Sequence, residues 1–564
     1  MNSHRRPPRG DLVSAEGPLA TRSAYLWQRT FECIPAVLLV LTIPVPVVLW
    51  RLSPRIAYVI LCCYVIYLAC LSVDMAFRQA AEFFQMRRIL RIDWTSRLSA
   101  LSRPYGRLDE LSPSRRLSRS EREERSALLD WIRDGDPPDP DRLWHLVVIP
   151  VAKEGPEVLG PTLDAILAAN YPLPRVAVCL SFEERGRYWT DERVERFVKP
   201  YQDRFGMLLT LTHPDGLPGE ARVKGANITW AAKQGRTVLN QVVDDEHIVV
   251  SVFDCDTRAS VDYFPALAWT YLTDPRRDVN SYQPIVLFHN NVWEVPTVSR
   301  LIGHMASMWN MADSTRKGRM RIFSSHAAGM RSLAGIDFWA INVVPDDSRQ
   351  HWRFYYGTDG RSTTRPLHIP VYMDAVQGDG YLKTLLEQYL QIRRWNYGVI
   401  DFPYIMAQNV ANPRIPLRLR ILQTYRQVSD FHRRAITPLL LFVASQIIKR
   451  FGTLVFVEPT TLTQVAGRLQ SLTWTVGLMS LCVGMMIAVA LLPKRPPGQS
   501  LLIYVKLCGE WLLLPFVLPL FFSLSAAEVQ LRLLIGRYLG FRVTAKTRTG
   551  RRRLSTSQTG SAAD

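Results

Sequence analysis

The chain has 564 residues, with 69 Lys and Arg against 50 Asp and Glu, which leaves a formal net charge of +19 at pH 7. At ~100–200 residues per domain, this length has room for a large catalytic unit and at least one further part. Only 21% of the residues are charged and 48% are hydrophobic. The charge alone would suggest a nucleic-acid partner, but no nucleic-acid motif is present and the long apolar runs lie near the two ends.

Two uncharged apolar runs near the N-terminus predict a transmembrane hairpin over residues 31–75. Cys33–Trp50 and Ile56–Val73 have 18 residues each, close to the ~20 that cross a ~30 Å hydrocarbon layer as a helix. Arginines precede the hairpin within residues 1–30 and follow it in a charged connector predicted over residues 76–141. By the positive-inside rule, both flanks are expected in the cytoplasm.

A second apolar region, residues 435–530, predicts further spans near the C-terminus. Leu469–Pro493 and Trp511–Ala527 are long enough to cross, whereas Ala435–Ile448 is short and its role stays open. The basic tail, residues 531–564, should remain cytoplasmic, which requires an even number of C-terminal crossings. We therefore expect four to six spans in all, and an integral, multi-pass protein of the inner or plasma membrane.

The location of the charges gives them a simpler partner than nucleic acid. Many arginines flank the predicted spans, where the insertion rule and anionic lipid both favour them. Residues 401–434 carry several more, and we expect them on interfacial helices that contact lipid headgroups. The lipid bilayer is therefore the expected partner of this basic excess, nucleic acid is not, and accessory subunits are left open.

Between the apolar regions, residues 142–400 alternate short apolar runs with helical stretches. The predicted strands are His145–Val151, Val176–Phe182, Leu208–Thr212 and Ile248–Phe253, and the predicted helices are Glu157–Ala169, Asp191–Phe205 and Lys224 to about Gln234. This alternation predicts an α/β fold with a mostly parallel, Rossmann-type sheet and helices on both faces. In such sheets, ligands bind beyond the carboxyl ends of the strands.

Acidic residues follow three of these strands. Glu154 comes after the first strand, Glu183 after the second, and Asp254-Cys-Asp256 after the fourth. Two carboxylates one residue apart suit Mg²⁺ or Mn²⁺, and such a cation would in turn bind a diphosphate. A solvated acidic turn is the alternative, and the short motif alone does not decide between the two.

A later motif, Gln391-Ile-Arg-Arg394-Trp395, lies on Tyr381–Tyr397, which has helical spacing of its apolar residues. By itself it would indicate an amphipathic helix on the membrane surface. In order along the chain, however, the Asp-x-Asp, a later acidic pair and Gln-x-x-Arg-Trp before C-terminal spans resemble the processive, membrane-embedded family 2 glycosyltransferases, the group of cellulose, hyaluronan and chitin synthases. The resemblance covers roughly His145 to Tyr397 and the membrane plan on either side.

The resemblance implies a GT-A-like fold, an inverting transfer from a nucleoside-diphosphate sugar, with a UDP-sugar as the expected donor, and a growing polysaccharide as the acceptor and product. It also implies roles for residues that match the family motifs. Pro150-Val-Ala-Lys-Glu154 is similar to the Pro-x-x-Asn-Glu nucleotide motif, and Lys224-Gly-Ala-Asn227 resembles a segment beside the nucleotide. The donor-binding residues would be Glu154, Glu183, Lys224, Asn227 and Asp254; the Mg²⁺ or Mn²⁺ ligands Asp254 and Asp256; and the acceptor- and diphosphate-binding residues Gln391, Arg394 and Trp395.

The catalytic base rests on a weaker match, because the Thr-Glu-Asp signature of the family appears here as Pro345-Asp346-Asp347. By register, Asp347 matches the catalytic carboxylate and Asp346 its neighbour. A partly desolvated carboxylate beside a second one suits a general base. Asp379 competes for the role, but it lies close to Gln-x-x-Arg-Trp, where the family has a short helix.

Two other functions stay open from the sequence. A family 2 enzyme could add one sugar to a lipid carrier or an existing glycan, and Gln-x-x-Arg-Trp with spans on both sides separates it only weakly from a processive synthase. A non-catalytic scaffold or transporter would carry charges on a path inside its spans. Only Lys449, Arg450, Lys506 and Glu510 lie near any predicted C-terminal span, and this second alternative leaves the carboxylates at the strand ends without a role.

Overall fold

A computed structural model of the chain describes residues 22–112, 116–133, 138–186, 188–316, 318–455 and 461–540. The predictions for the basic N-terminal segment up to residue 21 and for the basic tail from residue 541 lie outside these ranges.

An eight-stranded sheet lies at the centre of the described chain, in the order β3-β2-β1-β4-β7-β6-β8-β5. The strands are β1 (Trp144–Val151), β2 (Val176–Glu183), β3 (Met207–His213), β4 (Ile248–Val252), β5 (Arg258–Ala259), β6 (Ser281–Leu287), β7 (His326–Gly329) and β8 (Thr364–Tyr372).

The helices before the sheet and within its first half are α1 (Arg22–Thr42), α2 (Val45–Leu52), α3 (Pro54–Ile89), α4 (Trp94–Ser99), α5 (Pro104–Glu110), α6 (Arg119–Arg133), α7 (Pro156–Leu167), α8 (Asp191–Val198) and α9 (Lys224–Leu239). Those that follow are α10 (Tyr263–Leu272), α11 (Thr297–Ser314), α12 (Met330–Gly335), α13 (Asp346–Gly357), α14 (Tyr381–Asn396), α15 (Asp401–Ala411), α16 (Leu417–Val455), α17 (Thr461–Ala490), α18 (Leu502–Glu510), α19 (Leu514–Val517) and α20 (Leu524–Leu534).

The sheet is mixed, which corrects the prediction of a mostly parallel sheet. Strands β3, β2, β1 and β4 pair in parallel, as the alternation of strands and helices predicted. Beyond β4, however, β7 is antiparallel to both β4 and β6, and β5 is antiparallel to β8. The sequence predicts no strand beyond Phe253. The four-residue β7, His-Ala-Ala-Gly, is too short to show a period of its own.

Helices cover both faces of the parallel half, because alternate residues of β1 enter two different cores. Val147 and Ile149 pack in one core with Val158, Leu159 and Leu163 of α7. On the opposite face, Leu146 and Val148 pack in a second core with residues of α9. A strand buried on both faces is typical of parallel sheets, and it explains the near-continuous apolar run His145–Val151.

Among the described residues, three helical segments are long and apolar enough to cross a membrane: Pro54–Ile89, Ser471–Ala490 and Leu502–Leu534. Ser23–Thr42 and Val45–Leu52 become a fourth if they count as one span bent by 41°. The count of three or four meets the prediction of four to six only at its lower end. The first arm of the predicted hairpin is divided into α1 and α2, and α2 begins after Pro44. The turn to the second arm is short, because Ser53 alone links α2 to α3.

The apolar helices and the sheet share one core. Met86 of α3, Met308 of α11 and Ile487 of α17 pack with Ile285 and Leu287 of β6. Helix α11 therefore packs on the sheet and on the apolar helices at once. The doubtful segment Ala435–Ile448 is part of the 39-residue helix α16, which is not one of the candidate spans in the described chain.

Candidate active site

A cavity of about 670 Å³ lies at the carboxyl ends of β1, β2 and β4. These three strands are neighbours and run in parallel, so their carboxyl ends meet at one edge of the sheet. Every site residue predicted from the sequence except Asp256 lines this cavity, namely Glu154, Glu183, Lys224, Asn227, Asp254, Asp346, Asp347, Gln391, Arg394 and Trp395. Their roles remain predictions, but their convergence is an observed property of the fold.

Lys224 is the electrostatic centre of the cavity. Its Nζ lies 2.5 Å from Asp254 Oδ1 and 3.7 Å from Asp346 Oδ2. Burial by itself lowers the pKa of Lys224, but the carboxylates of Asp254 and Asp346 outweigh it and raise that pKa above its usual value. Lys224 is therefore a stable cation that links the strand-end acid to the acidic pair.

Helix α9 brings Lys224 to the acidic pair by a close approach of its backbone. A Cβ on Gly225 would lie 2.3 Å from the carbonyl oxygen of Ala340 and 3.4 Å from Asp346 Cβ. Only glycine permits this distance without a backbone shift. The glycine of the Lys-Gly-x-Asn segment thus has a structural reason, which is to seat the first turn of α9 beside Asp346.

The acidic pair begins helix α13, where negative charge is favoured by the helix dipole. Asp347 accepts hydrogen bonds from the backbone N–H of Ser324 at 3.0 Å and of Ser348 at 2.7 Å. Asp346 is more deeply buried, with 7% of its surface exposed. Burial raises the pKa of Asp346 to about 6, against the lowering effect of Lys224 and with the like charge of Asp347 adding to the rise.

Ser324 joins the two acidic groups and was missed by the sequence analysis. Its N–H donates to Asp347, and its Oγ donates to Asp254 Oδ2 at 2.7 Å. The residue has a φ of +50°, which is uncommon for a residue with a side chain. No sequence pattern marks such a backbone, so only the folded chain identifies Ser324 as the link between Asp254 and Asp347.

The predicted donor residues line the side of the cavity formed by β1 and β2. Glu154 Oε2 accepts the backbone N–H groups of Ala152 and Lys153, each at 2.9 Å, which stabilises the loop after β1. Glu183 accepts a hydrogen bond from Arg185 Nε at 2.6 Å.

Asn227 differs from Glu154 and Glu183 because one of its buried polar atoms has no hydrogen-bond partner among the described residues. Its Nδ2 donates to Ser181 O at 3.0 Å. Its buried Oδ1 has no hydrogen-bond partner among the described residues. A buried acceptor without a partner is unfavourable by itself, so this oxygen is suited to a ligand that donates a hydrogen bond.

Helix α14 forms the opposite wall. Trp395 packs against Phe288 and Phe323, with ring centroids 6.1 and 6.0 Å away. Gln391 is buried and Arg394 lines the cavity, whereas Arg393 turns away to pair with Glu528 of α20 at 2.8 Å. The Gln-x-x-Arg-Trp helix is therefore packed inside the protein on this side, unlike a helix that only rests on a lipid surface.

The two predicted metal ligands have different surroundings. Asp254 lines the cavity, whereas Asp256 is fully buried, accepts the Asp374 N–H at 2.8 Å and does not line it. Across the ranges that the structure describes, no three His, Cys, Asp or Glu side chains are grouped to hold a cation. The Asp254 carboxylate by itself still fits Mg²⁺ or Mn²⁺, because such ions often use one or two carboxylates and take their other ligands from phosphate and water.

The competing base candidate lies elsewhere. Asp379 is exposed, forms an ion pair with Lys383 at 2.9 Å and does not line the cavity. Its position after β8 and before α14 keeps it away from Lys224 and the acidic pair.

No protein-family model matches the chain, and no curated protein matches it. Solved structures to which the chain is similar include the mannosyltransferase PcManGT from Pyrobaculum calidifontis in complex with GDP-Man and Mn²⁺, at 17% identity and a TM-score of 0.35 over 70% of this chain and 98% of that chain. The 1–349 fragment of S. aureus TarS with UDP-GlcNAc has 10% identity and a TM-score of 0.30 over 72% and 98%. GalNAc-T7 with UDP, GalNAc and Mn²⁺ has 11% identity and a TM-score of 0.29 over 53% of this chain and 57% of that chain. At such low scores, the function has to be argued from the site itself.

Proposed function

We propose that this chain is an inverting, membrane-bound glycosyltransferase of the family 2 type, which transfers a sugar from a nucleoside-diphosphate sugar to a growing polysaccharide. A UDP-sugar is the expected donor. The observation that carries the proposal is the cavity in which Lys224, the carboxylates at the strand ends, the acidic pair and an aromatic wall meet. A cation among acids at strand ends suits a diphosphate, and Trp395 suits the flat face of a sugar ring.

The donor would lie along β1 and β2, with its diphosphate near Asp254. Asn227 Oδ1, which lacks a partner among the described residues, would accept a hydrogen bond from an N–H or O–H group of the donor. Mg²⁺ or Mn²⁺, when bound through Asp254, would neutralise charge on the diphosphate. Lys224 and Arg394 would add positive charge on the protein side, where it stabilises the leaving group as its negative charge develops.

Asp347 would act as the general base. Two backbone N–H groups hold its carboxylate at the cavity wall, so its orientation does not depend on the substrate. In the reaction, an acceptor hydroxyl attacks the anomeric carbon, the proton passes to Asp347, and the bond to the diphosphate breaks. A single displacement of this kind inverts the configuration of the sugar carbon.

A second candidate function has its own support. Beyond Trp395 the same cavity continues among the apolar helices, and most of the residues that line this part are apolar. Such a lining favours an acceptor that is attached to a lipid, and hence a single-addition enzyme acting on a lipid carrier. If the first candidate function is correct, the growing polysaccharide would instead leave the cell through the spans.

Inverted membrane vesicles that contain the full chain would test the proposal. They would be incubated with a panel of radiolabelled nucleotide sugars in the presence of Mg²⁺ or Mn²⁺, and nucleoside diphosphate release and product size would be measured. We expect at least one donor to react, and we expect Asp347→Asn to slow the reaction strongly while Asp379→Asn does not. Failure of every donor would contradict the proposal, and a long product would favour the polysaccharide.

A further inference from the structure

The cavity does not end at the aromatic wall of the catalytic site. It continues between α3, α11, α17 and the segment Leu502–Leu534. The walls of this deeper part, which we call the apolar chamber, are formed largely by Met75, Met305, Met308, Leu481, Leu514 and Leu518. Ser72, Gln79 and Ser480 add few polar atoms. A hydrocarbon chain matches this surface, whereas a polysaccharide would leave most of its hydroxyl groups without partners.

A half-buried arginine, Arg434, lines the same cavity as the residues of the chamber. Its guanidinium lies over the rings of Trp309 and Phe431, 5.2 and 5.0 Å from their centroids. Trp309 contacts Phe323 at 6.0 Å, and Phe323 contacts Trp395 at 6.0 Å. These successive ring contacts connect Arg434 to Trp395 on the wall of the cavity that α14 forms.

Arg434 forms no ion pair with the described residues, and the carboxylates of Asp430 and Asp313 attract its charge only from a greater distance. In the described part of the chain, no Asp or Glu oxygen lies within 4.0 Å of the Arg434 guanidinium nitrogens. Asp430, one turn earlier, is engaged by Arg433 at 2.5 Å and by Arg321 at 3.5 Å. Asp313 is engaged by Arg316 at 2.9 Å.

This part of the cavity is therefore short of negative charge. Arg321, which also lines the cavity, pairs with Asp430, which Arg433 engages as well. A cation in a site of low dielectric is favourable only when an anion pairs with it. Arginine is also the side chain best suited to bind a phosphate through two parallel hydrogen bonds.

We propose that the acceptor is a sugar carried on a phosphorylated long-chain lipid. Its hydrocarbon chain would fill the apolar chamber, and its phosphate would bind Arg434 and Arg321. The sugar would then reach Trp395 and Asp347. This inference rests on the second candidate function, glycosyl transfer to a lipid carrier, and names the chemical class of that acceptor.

The reaction balances without a further reactant. A hydroxyl of the lipid-linked sugar forms the new bond to the anomeric carbon of the donor, and its proton passes to Asp347. The bond from that carbon to the donor diphosphate breaks, and the electron pair leaves with the nucleoside diphosphate. The lipid phosphate is not consumed, so Arg434 is a binding residue and takes no part in bond formation.

Direct binding to the purified full chain in nanodiscs would test the inference. Radiolabelled farnesyl phosphate would be the probe, with farnesol and inorganic phosphate as unlabelled competitors. We expect farnesyl phosphate to bind at least about tenfold more tightly than farnesol, because the phosphate adds charge-assisted hydrogen bonds. Arg434→Gln should lose this preference, and Arg434→Lys should retain part of it. Arg418→Gln is the matched control, because Arg418 is an exposed residue of the same helix and does not line the cavity.

A separate measurement keeps this test independent of the proposed function. UDP and UDP-sugar binding would be measured on the same samples, and Arg434→Gln should leave both unchanged, which also shows that it is folded. If farnesol binds as well as farnesyl phosphate, or if Arg434→Gln keeps the preference, the inference is overturned even when donor turnover is normal. A product that is a long, water-soluble glycan without lipid would overturn it too. Absence of donor binding and turnover in the wild type would instead count against the proposed function.

Discussion

Lys224 Nζ lies 2.5 Å from Asp254 Oδ1. The pair joins the start of α9 to the end of β4, and it places a lysine cation against the carboxylate predicted to bind a metal. The same cation reaches Asp346 at 3.7 Å. Lys224 therefore balances the acids of the cavity, and the proposed function gives it the diphosphate of the donor as a further partner.

Lys224→Met should reduce turnover of the donor by about 10²–10³-fold, because it removes a positive charge fixed near the leaving group. Steady-state release of nucleoside diphosphate would measure this. Lys233→Met is the matched control, since Lys233 is on the same helix but is exposed and pairs with Asp337 at 2.8 Å. Equal losses in the two variants would show that the effect is not specific to the cavity.

Asp347→Asn should lower kcat by about 10²–10⁴-fold, the usual contribution of a general base. The replacement keeps the size of the side chain, and donor binding should therefore change little. Asp379→Asn should retain activity because Asp379 lies outside the cavity. Full activity of Asp347→Asn would refute the assignment of the base, and loss of activity in Asp379→Asn would support the competing one.

The pH dependence of kcat/KM should show a step near pH 6, because burial raises the pKa of Asp346 to about 6. Below this pH the Asp346 carboxyl is protonated and neutral. Above it, the added negative charge beside Asp347 favours proton transfer to Asp347, so activity should rise with pH through 6 and then level off. The step should be missing from Asp346→Asn, measured over pH 4.5–8 in buffers of constant ionic strength, and its persistence there would assign it to another group.

Removal of divalent cations with EDTA should abolish turnover, and Mg²⁺ or Mn²⁺ should restore it. Asp254→Asn should raise the cation concentration needed for half-maximal activity, because Asp254 lines the cavity. Asp256→Asn should instead lower the melting temperature, because the fully buried Asp256 accepts the Asp374 N–H. Turnover that persists in EDTA would mean that Lys224 and Arg394 neutralise the diphosphate without a metal.

Glu510→Gln should destabilise the protein by about 3–5 kcal/mol, the usual effect of breaking a buried ion pair. Glu510 of α18 accepts hydrogen bonds from Arg300 of α11 at 2.9 and 2.7 Å, and the side chains are 6% and 4% exposed. The substitution leaves the Arg300 charge buried without its partner. Thermal unfolding in detergent would measure the loss, and Arg300→Met combined with Glu510→Leu should recover much of it. A Glu510→Gln variant as stable as the wild type would show that the pair does not hold α18 to α11.

Much of the parallel half of the fold could be predicted from the sequence, because its signals are local. The apolar runs that predicted β1 to β4 agree with the structure to within one residue at each end, and α9 begins at the predicted Lys224. Strands buried on both faces have to be apolar along their whole length, and this is visible in any single stretch of sequence. The carboxylates at the strand ends followed from the same runs, because parallel neighbours end at one edge of the sheet.

The tertiary structure alone decided which of these residues meet and what each one faces. Asp254 and Asp256 are equivalent in sequence, yet one lines the cavity and the other is buried behind it. Ser324 links Asp254 to Asp347 through a backbone with positive φ, and Arg434 reaches the cavity from α16. The antiparallel strands also escaped prediction. The periodicity of a segment indicates how that segment is buried. The partner of a charged side chain depends instead on packing between segments that are far apart in the chain. No local sequence pattern specifies which of these segments come together.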